Sequence, residues 1–203
     1  MELGNFQKPV ESDEIRKMAS DITGESVKAV FRICEQWGEA EDEVREYDVY
    51  VIETDAGKYT LKKTGSKEAQ IYAQYLSKGE FHVPQYVGMR QTEDADWICM
   101  KYVEGNDMRD MTDETTEKAA ETLSKIQSYF WTPSMDKAPE NEVEQRFVEY
   151  WKRVLRRASS VADDPILRKA YQMFLDRQLT CPCTMSNGDF LQWNVIYDGE
   201  NVV

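Results

Sequence analysis

Two polar residues near the carboxyl end of the sequence have types and spacing that suit catalysis. Asp189 and Asn194 stand five positions apart, between apolar runs that are typical of strands. A carboxylate in such a loop can accept the proton of an attacking hydroxyl, and an amide oxygen suits magnesium, which prefers oxygen ligands. Phosphoryl transfer requires both groups. The same spacing also fits an ordinary turn between two strands, so this loop alone leaves both interpretations open.

A lysine earlier in the chain could supply the cations that phosphate groups need. In its predicted strand, Lys62 lies on the face opposite Tyr59 and Leu61, so it can point into a cleft while those two residues pack. Glu68, on the next predicted helix, is close enough in sequence to pair with it. A lysine on the phosphates, oriented by a helix glutamate, is the cationic half of a phosphoryl-transfer site. The alternative is an exposed lysine beside a solvated glutamate, which contributes little. Lys63 is the rival lysine, but it falls on the packed face in this register.

Hydrophobic periodicity predicts the elements that must position these residues. Ser12 caps the first predicted helix and Gly24 ends it, while Ser66 caps the second. Successive hairpins predict an antiparallel meander, and helices dominate after residue 104. The predicted helices cover 12–22, 66–78, 113–130, 141–159 and 165–177; the predicted strands cover 27–33, 47–54, 58–63, 85–88, 96–103 and 180–185, followed by a final hairpin over 195–203.

This order of elements predicts an α+β chain with two lobes. The expected division is a nucleotide-binding lobe over 1–103, a hinge or linker over 104–112 and a partial helical lobe over 113–203. A long acidic loop is expected over 35–46.

Composition excludes several other functions. The 203-residue chain carries a formal net charge of -13, which argues against nucleic acid as a partner because phosphate binding needs basic surface. No apolar run approaches the roughly 18 residues of a membrane span, and the amino terminus lacks the pattern of a signal peptide. A cytoplasmic protein with reduced core cysteines is therefore expected. His82 is the single histidine, which disfavours catalytic triads, and the spacing of Cys181 and Cys183 disfavours a metal or redox pair.

Five segments in this order resemble the aminoglycoside phosphotransferase and choline kinase group, a branch of the protein-kinase-like fold. The segments are 59–62, 68–76, 83–88, 97–105 and 187–194. The resemblance implies a two-lobed fold, with an antiparallel sheet and a helix in the first lobe and a mostly helical second lobe. It implies ATP or GTP as phosphate donor, Mg²⁺ as cofactor and a small hydroxylated acceptor, which is aminoglycoside-, choline- or sugar-like.

The resemblance also implies a role for each candidate residue. Lys62 and Glu68 would hold the phosphates, and backbone groups of Lys101 and Val103 would face the adenine. Asp189 would act as the base, and Asn194 would bind magnesium.

Three departures from the family pattern accompany these expectations. Asn187 stands where the family loop usually has a histidine, and the acidic loop 35–46 contains a single glycine, Gly38. The family's second metal-binding aspartate would fall just beyond Val203, so we expect the chain to be a fragment of a larger kinase. A non-catalytic kinase-like binding module is the alternative function, and an α+β domain without an active site is the third.

Overall fold

The structure is a computed structural model, and it describes residues 4–36, 44–133, 153–154, 156–157, 165–177, 182, 184–185 and 190–203. The chain divides into two compact units. One comprises Met1–Ala119 with Leu191–Val203, and the other comprises Ala120–Phe190. The expected lobe boundaries at residues 103 and 113 stay predictions.

A six-stranded antiparallel sheet dominates the first unit. Its strands are β1 (Gly4–Pro9), β2 (Val27–Gln36), β3 (Val44–Thr54), β4 (Gly57–Thr64), β5 (Tyr86–Gln91) and β6 (Asp96–Lys101). They lie in the order β1-β2-β3-β4-β6-β5, and every neighbouring pair is antiparallel. The meander β2–β3–β4 is the one that the hairpin signals predicted. Strand β6 then pairs with β4, and β5 takes the edge.

Local chemistry explains the first helix and the tight turn after β3. Helix α1 (Asp13–Thr23) begins where the Ser12 side chain accepts a hydrogen bond from the Ile15 N–H at 3.3 Å. It ends at Gly24, whose φ of 73° is in the left-handed region that glycine adopts readily. Gly57 has a φ of 129° in the β3–β4 turn. The first predicted helix and its caps are confirmed, as is the predicted hairpin between the strands on either side of Gly57.

Helix α1 covers one face of the sheet. Its buried Ile15, Met18 and Ala19 pack against the alternate residues of the central strands, which are Val30, Tyr50, Ile52, Tyr59, Leu61, Trp97 and Cys99. Alternation thus sends Tyr59 and Leu61 into this core and leaves the opposite face for Lys62. Cys34 and Cys99 are buried free thiols, as expected, and burial raises the pKa of Cys99 to about 12. Cys181 and Cys183 lie outside the described residues.

Four features of the first unit differ from the sequence-based expectations. Strand β1 was not predicted, because its exposed side chains form no apolar pattern. Backbone pairing with β2 holds this edge strand in the sheet. Strands β2 and β3 extend into the predicted loop 35–46, of which 37–43 lies outside the described residues. Helix α2 (Ser66–Gln74) has Gly65 rather than Ser66 as its N-cap, with no side-chain cap hydrogen bond. The predicted helix 66–78 ends early, and Leu76–Lys78 form a 3₁₀ turn.

The predicted linker 104–112 contains structure that pairs with the end of the chain. Strand β7 (Asn106–Asp107) pairs with β8 (Ile196–Tyr197), and a 3₁₀ turn, Met108–Asp110, follows β7. Strand β8 also forms the predicted hairpin, in which Ile196 and Val203 exchange backbone hydrogen bonds of 3.0 and 2.9 Å. A small core of Met108, Ala119, Val195 and Val202 lies behind this pairing.

Two long helices complete the described chain, α3 (Asp113–Tyr129) and α4 (Pro165–Arg177). Both were predicted, and Pro165 occupies the first position of α4, where its missing N–H costs nothing. The predicted helix 141–159 lies mostly outside the described residues. Of the predicted strand 180–185, the described Pro182, Thr184 and Met185 are not in a strand. None of the helices in the described part of the chain is both long and apolar enough to span a membrane.

Candidate functional site

The Lys62 ammonium and the Glu68 carboxylate meet on the open face of the sheet. Lys62 Nζ lies 2.6 Å from Glu68 Oε1, and the two side chains are 37% and 39% exposed. Strand β4 places Lys62 opposite Val49 and Ile98 on this face. Helix α2 supplies Glu68 from its first turn. The structure therefore forms the lysine–glutamate pair that the sequence suggested.

The second Glu68 oxygen is also bound. The Thr64 hydroxyl donates a hydrogen bond to Glu68 Oε2, so neighbouring residues hold both oxygens of this carboxylate. Tyr72 follows one helical turn later, and burial together with the nearby Glu68 charge raises its pKa to about 12. Tyr72 is therefore neutral at physiological pH. Sequence reasoning missed Thr64, although its position two residues after Lys62 placed it on the same face.

A mostly apolar surface extends from Lys62 across the same face. Strand register aligns Phe31 with Val51 and Val51 with Thr60, and Val49 stands opposite Lys62. Val51 is buried, whereas Phe31, Val49 and Thr60 are only half-buried. A half-exposed apolar surface beside a lysine can stack a flat aromatic base and leave the attached phosphates near the ammonium.

The chain leaves the sheet at Lys101 and continues through Val103. The Lys101 N–H donates to the Gln85 carbonyl at 2.8 Å, and the Tyr102 N–H donates to the Lys58 carbonyl at 3.1 Å. The Lys101 ammonium donates to the Tyr59 hydroxyl at 3.0 Å and lies 4.1 Å from the centre of that ring. The Lys101 side chain is thus bound to Tyr59, which leaves the backbone of Lys101 as its part suited to a nucleotide base.

A cavity of about 550 Å³ borders this segment on the side of β5 and the final hairpin. Its lining includes Lys101 and Val103 together with His82 and Asp198, but neither Lys62 nor Glu68. The lining of the cavity therefore does not include the lysine–glutamate pair.

Asn194 ends an exposed 3₁₀ turn, Gln192–Asn194, that packs against the turn Met108–Asp110. Its amide oxygen suits one position around a magnesium ion. Among the described residues, no cluster of three or more histidine, cysteine or acidic side chains could hold a metal. Asp189 and Asn187 lie outside the described residues.

An ion pair that the sequence did not predict joins the end of β2 to the turn Met108–Asp110. Arg109 Nη2 lies 2.9 Å from Glu35 Oε1, and the Tyr47 hydroxyl donates to the other Glu35 oxygen. Burial, followed by this hydrogen bond to Glu35, raises the pKa of Tyr47, so the phenol keeps its proton. Arg109 also contacts Asp107 at 3.2 Å. We call Glu35, Tyr47 and Arg109 the clasp; it neutralises the first carboxylate of the acidic segment.

An antiparallel sheet with a lysine that pairs with a glutamate of the adjacent helix is the nucleotide-binding arrangement of protein-kinase-like phosphotransferases. The chain belongs to the phosphotransferase enzyme family (APH), whose sequence profile matches residues 39–203. This match confirms the resemblance to the aminoglycoside phosphotransferase and choline kinase group. Strand β1, helix α1 and strand β2 precede the matched region. No curated protein and no solved structure gives a significant match.

Proposed function

We propose that this protein is a small-molecule kinase that transfers the γ-phosphate of ATP or GTP to a hydroxyl group of a small acceptor. The acceptor would be aminoglycoside-, choline- or sugar-like. The observation that carries the proposal is the 2.6 Å contact between Lys62 and Glu68 on the open face of the sheet. Because this pair is more than one-third exposed, it contributes little to stability, and binding phosphate is the better explanation for it.

The apolar face formed by Phe31, Val49 and Val51 would support the nucleotide base, with Lys62 reaching the phosphates. At the end of β6, the Lys101 N–H already donates to the Gln85 carbonyl. The Lys101 carbonyl is therefore the group proposed to accept from the adenine amino group, and the Val103 N–H would donate to a ring nitrogen.

Asp189 is proposed to accept the proton of the acceptor hydroxyl as that oxygen attacks the γ-phosphorus. Asn194 is proposed to contribute one oxygen ligand to Mg²⁺. When bound, Mg²⁺ would neutralise phosphate charge and favour departure of the nucleoside diphosphate. Asp189 and Asn194 thus divide proton acceptance and metal binding between them.

The clasp weakens one objection to nucleotide binding. A loop rich in carboxylates would repel a triphosphate, yet the Glu35 charge is offset by Arg109 at 2.9 Å. Both oxygens of Glu35 are bound, so this carboxylate has hydrogen-bond partners on the protein rather than a free edge turned to the nucleotide.

Nucleotide binding is the first test of this function. Mg·ATP or Mg·GTP should raise the melting temperature of the wild-type protein, because a ligand that binds the folded state stabilises it. Lys62→Met should lose most of this shift while keeping the melting temperature of the free protein. A shift of equal size in Lys62→Met would reject Lys62 as a phosphate ligand.

Catalysis needs a separate measurement. Wild-type protein should release nucleoside diphosphate faster when the correct hydroxylated amine or sugar is added. Binding without consumption across such a panel would favour a non-catalytic kinase-like module.

A further inference from the structure

Two side chains of strand β4 bind the two oxygens of the Glu68 carboxylate. Lys62 Nζ contacts Oε1 at 2.6 Å, and the Thr64 hydroxyl donates to Oε2. Because side chains two positions apart on a strand point to the same face, Lys62 and Thr64 approach Glu68 together. Strand β4 therefore presents an ammonium and a hydroxyl to the same carboxylate.

The Thr64 hydroxyl bonds the Glu68 carboxylate and does not act as the side-chain cap of helix α2. Helix α2 starts at Ser66 with Gly65 as its N-cap, and no side chain accepts a hydrogen bond from its first N–H groups. Threonine is a common capping residue, and a side-chain cap stabilises a helix by about 1 kcal/mol. The hydroxyl proton of Thr64 is donated to Glu68, in the first turn of α2. This contact can stabilise the start of α2 as well as position the carboxylate, so Mg·ATP affinity has to be measured separately from stability.

The hydrogen bond from Thr64 to Glu68 can hold the exposed Lys62–Glu68 ion pair in one geometry. Lys62 and Glu68 are 37% and 39% exposed, so their mutual attraction is weakened by water and both long side chains can leave the contact. Threonine is β-branched and has few rotamers, so its hydroxyl is a stiff anchor on the strand. Fixing one Glu68 oxygen restricts rotation of the carboxylate, which keeps the other oxygen directed at Lys62.

We propose that Thr64 is a positioning residue that holds Glu68 so that the Lys62 ammonium is directed at the nucleotide phosphates. This proposal rests on the function proposed above and deepens it by adding a third member to the lysine–glutamate pair. Thr64 does not itself touch the phosphates.

Two substitutions at Thr64 distinguish the contribution of its hydroxyl group from that of its branched shape. Thr64→Val keeps the branched shape and removes the hydroxyl, and should weaken Mg·ATP binding about tenfold in calorimetric titration, near the lower end of the loss expected for a hydrogen bond to a charged group. Thr64→Ser restores the hydroxyl and should bind within about twofold of wild type, well below the loss expected of a missing hydrogen bond.

Thr54→Val is the matched control. The Thr54 hydroxyl bonds Gly57 and Ala56 in the β3–β4 turn, so its loss should lower the melting temperature without changing Mg·ATP affinity. Equal binding by Thr64→Val and wild type, or failure of Thr64→Ser to recover binding, would overturn the proposal.

A double-mutant cycle with Glu68→Ala tests whether Thr64 acts through Glu68. In the Glu68→Ala background there is no carboxylate to position, so Thr64→Val should cause no further loss of Mg·ATP affinity. A full additional loss would show that Thr64 acts by another route.

Lys62→Met distinguishes a failure of the proposed function from a failure of the role proposed for Thr64. If Lys62→Met binds Mg·ATP normally, the proposed function fails; if it loses binding while Thr64→Val does not, only the role of Thr64 fails.

Discussion

Removing Arg109 should show how much the clasp stabilises the fold. Arg109→Met keeps most of the side-chain stem and deletes the guanidinium that contacts Glu35 at 2.9 Å. The Glu35 carboxylate would then retain the Tyr47 hydroxyl but lose its cation. Because Arg109 and Glu35 are only 30% and 21% exposed, water can replace the lost partner only in part.

The decrease in the free energy of unfolding caused by Arg109→Met is expected to lie between the decrease for an exposed ion pair and that for a buried ion pair. A hydrogen bond between charged groups contributes about 1.5–3 kcal/mol, and we expect a destabilisation of about 1–3 kcal/mol for this half-buried contact. For a chain of this size each kcal/mol lowers the melting temperature by about 2–4 °C. A shift of several degrees is therefore predicted.

Thermal unfolding monitored by circular dichroism can measure this shift at low and high salt. Lys8→Met is the matched control, because Lys8 contacts Glu46 at a similar 2.8 Å but the side chains are 56% and 38% exposed. It should have little or no effect. Adding Glu35→Gln to Arg109→Met should recover part of the stability, since it removes the uncompensated charge. Equal shifts in Arg109→Met and Lys8→Met would refute the view that the clasp neutralises Glu35.

Three further predictions concern the sheet. Leu61→Ala should cost about 2–5 kcal/mol in urea unfolding because Leu61 is fully buried, whereas substituting the adjacent Lys62, which faces the open side, should leave stability nearly unchanged. Gly57→Ala should destabilise the protein by more than about 1 kcal/mol, because a φ of 129° is strained for any side chain; an unchanged urea midpoint would contradict this. Burial raises the folded-state pKa of Cys99 to about 12 from an ordinary value of 9.0, so the unfolded state loses its proton first. Stability should therefore fall as pH rises above 9, by at most about 1.4 kcal/mol per pH unit from this group, and Cys99→Ala should show a shallower decline.

Strong local signals made much of the sheet and several helices predictable. Ser12 and Gly24 bound α1 through capping chemistry, and period-two alternation placed Leu61 and Lys62 on opposite faces. The pairing of Lys62 with Glu68 followed from a short connection, because six positions and one turn leave few other partners for a strand lysine.

The remaining contacts depend on parts of the chain that are far apart in sequence. Arg109 meets Glu35 across 74 positions, and β7 pairs with β8 only after the chain has returned from the second unit. Periodicity reports which face a residue takes, but not which distant segment will cover that face. Strand β1 was missed for a related reason: its exposed side chains carry no apolar pattern, and backbone pairing with β2 holds it.

The central claim is most directly tested by following phosphate transfer itself. Phosphorus NMR of wild-type protein with Mg·ATP and a panel of hydroxylated amines and sugars should show a new phosphate ester with one class of acceptor. Asp189→Ala should still bind Mg·ATP, yet its transfer rate should fall by about two orders of magnitude or more, as expected when a catalytic base is removed. Transfer by Asp189→Ala at the wild-type rate would contradict the proposed mechanism.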